Sequence, residues 1–158
     1  LESVAILEDD VMWTRSLLRA SRADLDALSA APWRVLHGGA PDDRRSEGRI
    51  GAAPLKPDVD LMTAHFVAFR GDAIARVADF LEAMTARPAG DPDGGPMHVD
   101  GAYNWFRRAQ PDMPAAICEP AIAYQRLSRT DIGSSGVLDR APAVAGALRA
   151  LRNALRRG

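Results

Sequence analysis

A chain of 158 residues, 47% hydrophobic and 26% charged, has the composition of one globular domain, long enough to bury about 70% of its unfolded surface. Its net charge of −1 gives no electrostatic ground for a nucleic-acid partner, and its single cysteine excludes an internal disulfide framework, which suits a reducing compartment. No apolar run approaches the roughly 20 residues that a membrane span needs, and no signal peptide is visible.

In chain order, Val4-Ala5-Ile6-Leu7 comes first, an unbroken apolar run that reads as a short strand buried on both faces. Glu8-Asp9-Asp10 follows at once, which places carboxylates at the carboxyl edge of a sheet, where open α/β folds bind ligands. Adjacent like charges repel, and a hard cation with oxygen ligands, Mg²⁺ or Mn²⁺, would resolve the repulsion. An acidic turn that starts the next helix is the alternative, and the stretch alone leaves both open. The spacing of Val11, Leu17, Leu18, Leu25 and Leu28 predicts a helix over Val11 to Leu28, with the acidic cluster at its N-terminus.

Pro32 to His37 reads as a second strand closed by Gly38-Gly39, and Ala40 to Lys56 as a mobile surface loop or lid, with Asp42-Asp43-Arg44-Arg45 as a solvated face. Met62 to Phe69 is the third strand. Within it, His65 reads first as a hydrogen-bonded structural histidine and second as a functional one. Gly71-Asp72 ends that strand and caps a helix from Ala73 to about Ala86, whose core face is Ile74, Val77, Phe80, Leu81 and Met84. After the loop Arg87 to Gly95, Asp100 is expected to N-cap a helix through Gly101 to Phe106, a role that would hold its carboxylate rigid and ionised. Ala115 to Glu119 reads as the last strand, with Cys118 a small core residue. A polar run, Ser128-Arg129-Thr130-Asp131, precedes a helix from Pro142 to Arg157 with a leucine face and an arginine face. That helix reads as docked on the core ahead of lying on a membrane surface.

The blocks SVAILEDDV, PWRVLHGG, TAHFVAFRGDAIARV, HVDGAYNWF and PAIAYQRLSRTDIG, in this order, resemble those of glycosyltransferase family 25, enzymes of lipopolysaccharide and glycan synthesis on the GT-A nucleotide-sugar fold. The resemblance covers most of Val4 to Gly133 and implies an α/β fold, a GT-A-like mixed sheet flanked by helices. Glu8 and Asp10 would stand for the family's metal-holding acidic motif, with Glu8 and Asp9 against the donor. Asp100 matches a later acidic block, and Gln125, Ser128 and Asp131 a terminal polar block. The substrate-binding candidates are thus Glu8, Asp9, His65, Gln125 and Ser128, and the catalytic ones Asp100 and Asp131. The implied cofactor is a divalent metal, Mn²⁺ or Mg²⁺. The implied partners are a nucleotide-sugar donor and a glycan or lipid-linked acceptor. The implied location is the cytoplasm, with peripheral contact at the inner membrane through the C-terminal helix.

Transfer from a nucleotide sugar needs a cation at the departing diphosphate and a group that takes the acceptor's proton, so an inverting enzyme wants a metal site and a separate carboxylate. Family members place a nucleotide-binding half before the acidic strand. Here the strand starts at Val4, so residues 1–140 are expected to be the C-terminal part of such a domain and 141–158 an amphipathic basic helix. Two readings compete with the enzyme: a non-catalytic remnant or partner-binding module, and a receiver-type Mg²⁺-binding signalling domain, which lacks its phosphoacceptor aspartate and its later lysine here.

Overall fold

The computed structural model describes residues 1–40 and 48–126. They form a mixed α/β fold: a five-stranded sheet with helices on both sides and a two-stranded ribbon at one end. The sheet strands are β1 (Ser3–Leu7), β3 (Val35–His37), β4 (Gly51–Pro54), β5 (Phe66–Arg70) and β6 (Ala115–Glu119), in the order β1-β5-β3-β6-β4. β5 runs antiparallel to both β1 and β3, β6 runs parallel to β3, and β4 runs antiparallel to β6. Strands β1, β3 and β6 therefore point the same way, and their carboxyl ends share one edge. The reversed β5 inside the sheet departs from the parallel doubly wound sheet that the receiver reading requires.

Directly opposed residues share a face of a sheet. Val35, Val67 and Phe69 face one side, packing with Ala73 and Val77 of α3 (Ala73–Ala86) and with Tyr103 and Phe106 of α4 (Val99–Ala109). Leu36, Ala68, Ala116 and Cys118 face the other, against Trp33 and Ile122, with Leu17 of α1 (Arg15–Arg19) and Leu28 of α2 (Arg22–Ala30) packed on them. α3 has the predicted bounds, and Val77 and Met84 of its predicted core face are buried, while Ile74, Phe80 and Leu81 are partly buried and pack against the cluster. β6 matches its prediction residue for residue, and Cys118 is wholly enclosed.

Several expectations are corrected. β1 is not buried on both faces. It is a sheet edge, and Ile6 and Leu7 are 42% and 47% exposed. The helix over Val11 to Leu28 is three elements: β2 (Val11–Trp13), α1 and α2. Two side-chain caps divide it. Thr14 Oγ1 accepts from the Leu17 amide, and Ser21 and Asp24 form a reciprocal capping box at the start of α2. The acidic cluster therefore leads into a strand, without the helix dipole expected to soften it. β4 lies within the supposed loop, and the third strand begins at Phe66, not Met62. The N-cap of α4 is His98, two residues before the expected cap Asp100. Asp72 sits at the N-cap of α3 without a side-chain bond to it. Residues 42–45, Ser128, Asp131, the boundary at 140 and the helix over 142–157 lie outside the described residues.

Candidate active site

The carboxyl edge is built by main-chain bonds that gather four segments. The Glu8 amide donates to His65 O across 3.2 Å, extending the β1–β5 ladder by one pair. The Val11 amide donates to Glu8 O, also at 3.2 Å, which closes Glu8-Asp9-Asp10-Val11 as a β-turn. β2 then pairs antiparallel with β7 (Ala123–Gln125), and the Arg126 amide donates to Asp10 O at 2.9 Å. Ile122 and Ala123 both donate to Gly38 O, tying the same ribbon to the end of β3. Gly39 is required here: a Cβ on it would meet the Cβ of Ala121 at 2.2 Å.

On this frame the predicted residues fall as follows. Glu8 and Asp10 are half-buried and Asp9 is exposed at the tip of the turn. Gln125, opposite Val11, reaches back so that its Nε2 lies 3.5 Å from Glu8 Oε2, at the outer limit of a hydrogen bond. Asp100 lies in the first turn of α4, its Oδ1 accepting from the Gly101 amide at 2.8 Å. Burial raises the Glu8 pKa, and the charges of Asp10, Asp100 and Asp9 raise it further, in that order. Asp100 thus belongs to the same electrostatic group as the turn, although 90 residues separate Asp10 from Asp100 in the sequence.

His65 is buried behind the turn. Its Nε2 lies 3.1 Å from Ala123 O, a group that can only accept, so Nε2 carries the proton and Nδ1 accepts from the Thr63 hydroxyl at 3.0 Å. Burial holds its pKa low, opposed by the Ala123 bond and the Asp10 charge. The ring is a neutral brace between β5 and β7, so it fixes the distance between the strand that carries Gln125 and the turn that carries Glu8. Two residues that belong to this region were not among the predicted ones. Tyr103 is one helical turn from Asp100, a neighbour on the same helix face, and its pKa is raised by burial and then by Glu8. His37 is buried at the end of β3, held neutral with its pKa pushed down to about 3 by burial, Arg107 and His65.

Among the described residues no group of three or more His, Cys, Asp or Glu side chains is placed to hold a metal ion. The turn offers two half-buried carboxylates, Glu8 and Asp10. Among the described residues no helix is long and apolar enough to cross a membrane. Compared with protein-family models, curated proteins and solved structures, the chain shows no match.

Proposed function

We propose that this chain forms the catalytic part of a GT-A-like glycosyltransferase that moves a sugar from a nucleotide-sugar donor to a hydroxyl of a glycan acceptor, with inversion. The observation that carries the reading is the convergence of the turn Glu8-Asp9-Asp10, Gln125 and Asp100 at the carboxyl edge of β1, β3 and β6. A divalent cation bound by Glu8 and Asp10 would neutralise charge on a leaving diphosphate. Gln125 would orient Glu8, and His65 would brace the ribbon that carries Gln125. Asp100, fixed by the Gly101 amide, would accept the proton of the attacking hydroxyl. Asp131 is the second candidate for that proton.

Binding of a labelled nucleotide sugar, with and without Mn²⁺, tests the reading. Metal-dependent binding is the expected result, and metal-independent or absent binding counts against it. Asp10→Asn is expected to weaken Mn²⁺ at least tenfold in calorimetry, about 1.4 kcal/mol, while leaving the fold intact. Asp100→Asn is expected to lower transfer by roughly 10²–10⁴-fold, far more than it lowers donor and Mn²⁺ affinities, because neither needs a proton acceptor. A variant that keeps more than about a tenth of the parent turnover moves the role to Asp131.

A further inference from the structure

The outer side of β1 lies beside the carboxylate turn and shares Glu8 with it. Along the β1–β5 ladder, Glu8 donates to His65 O and Gly71 donates to Glu2 O, so the even-numbered residues are the hydrogen-bonded partners of β5. Bonded and non-bonded pairs alternate in an antiparallel ladder. The N–H and C=O groups of Ser3, Ala5 and Leu7 therefore point away from β5, toward the open edge. Among the described residues β1 ends the sheet on that side. Protein edges are usually blunted by Lys, Pro, a bulge or an inward charge. Ser3–Leu7 has none of these, and its register with β5 is unbroken. Apolar surface continues around the edge: Ile6 on one face, Leu7 on the other, and Trp13, 40% exposed, packed edge-on against Phe66 opposite Leu7.

We infer that β1 is a docking edge for an extended segment of a partner polypeptide, an apolar strand flanked at both ends by Lys or Arg. The flanking charges select this occupant. Glu2 precedes β1 and Glu8 follows it, both on the face that carries Val4 and Ile6. A second copy of the chain is the poor alternative. The two-fold antiparallel register that pairs Ser3, Ala5 and Leu7 with their counterparts centres on Ala5 and sets Glu2 opposite Glu8 twice. Those are non-hydrogen-bonded pairs, where side chains lie closest and like charges destabilise most. A strand with a cation at each of those positions turns both repulsions into attractions, while its main chain satisfies the outward groups.

The probe is the capped peptide Lys-Ile-Val-Ala-Val-Thr-Lys, with the same peptide flanked by Glu as control, in buffer containing EDTA so that no metal offsets Glu8. The Lys-flanked peptide is expected to bind at least tenfold more tightly by fluorescence anisotropy. At saturation it is expected to slow amide exchange of Ser3, Ala5 and Leu7 at least tenfold, with Val4 and Ile6 little changed. Ala5→Pro deletes an outward N–H and leaves the β5 ladder its bonds, so it is expected to abolish peptide binding with the far-ultraviolet circular dichroism retained. Equal affinity for the two peptides, or no protection of the odd-numbered amides at saturation, overturns the inference. Protection of those amides that grows with protein concentration alone overturns it in favour of self-pairing. Should Ala5→Pro fail to fold, the peptide pair and the exchange pattern still decide.

Discussion

Glu8 bears the cost of gathering carboxylates at one edge. Burial comes first among the causes that raise its pKa, then Asp10, Asp100 and Asp9. A carboxyl whose pKa is higher folded than unfolded favours the protonated native state. Its stabilising share is present below the ordinary glutamate range and is lost as pH rises through the raised value. Glu8→Gln is therefore expected to raise the thermal midpoint at pH 8 and to change nothing near pH 4. Asp100→Asn shifts the midpoint the same way by less. A neutral or negative effect of Glu8→Gln at pH 8, in EDTA, refutes the repulsion. The turn itself was legible in the sequence because three adjacent carboxylates after an apolar run have few structural explanations. Tyr103 was not, because its link to Glu8 exists only once α4 crosses the sheet edge.

At the scale of elements, the caps decide what the apolar spacing could not. Val11, Leu17 and Leu28 fit a helical stripe, and all three do pack on the same cluster. They reach it from a strand and two short helices because Thr14 and Ser21 interrupt the run. Thr14 has two roles: Oγ1 accepts from the Leu17 amide at 3.3 Å and donates to Ala121 O at 2.6 Å. It joins the start of α1 to the segment leading into β7, and so holds the ribbon that frames the site. Thr14→Ala is expected to cost about 1–2 kcal/mol in urea unfolding, a lost cap plus a lost cross-chain bond, while Thr14→Ser recovers most of it. Equal losses for Ala and Ser would assign the effect to the methyl group instead. α3 was legible because its apolar period lies between Gly71 and Arg87-Pro88. β4 was not, since Gly-Ala-Ala-Pro carries little strand preference and pairs only because β6 is there to receive it. Four apolar residues without alternation also cannot distinguish a buried strand from an edge, which is why β1 was misplaced.

Across the whole molecule, the sheet separates two apolar layers, and polar groups taken inside it must stay neutral or be fully bonded. Arg107 meets this in part: its terminal nitrogens donate to Lys56 O, Val59 O and Asn104 Oδ1, so α4 holds the 56–61 segment, while its Nε has no hydrogen-bond partner among the described residues. His37 meets it by staying unprotonated: its Nε2 has no hydrogen-bond partner among the described residues, and Arg107 and His65 add to the penalty on its charged form. A histidine whose pKa is lower folded than unfolded gives stability that is present above its unfolded pKa and lost as pH falls through the interval below it. For His37 that interval runs from 6.5 down to about 3, and His65 acts in the same direction. The fold is therefore expected to lose stability steadily below pH 6.5, well before its ordinary carboxylates titrate. His37→Leu removes the largest contributor and sacrifices no hydrogen bond made among the described residues. Between pH 7 and pH 4 the parent should lose roughly 3 kcal/mol more than this variant, at about 1.4 kcal/mol per unit of displaced pKa. Urea unfolding followed by tryptophan fluorescence at several pH values measures the difference directly. Parallel pH dependences for parent and variant would mean that His37 is solvated in the native state and that the acid sensitivity arises elsewhere.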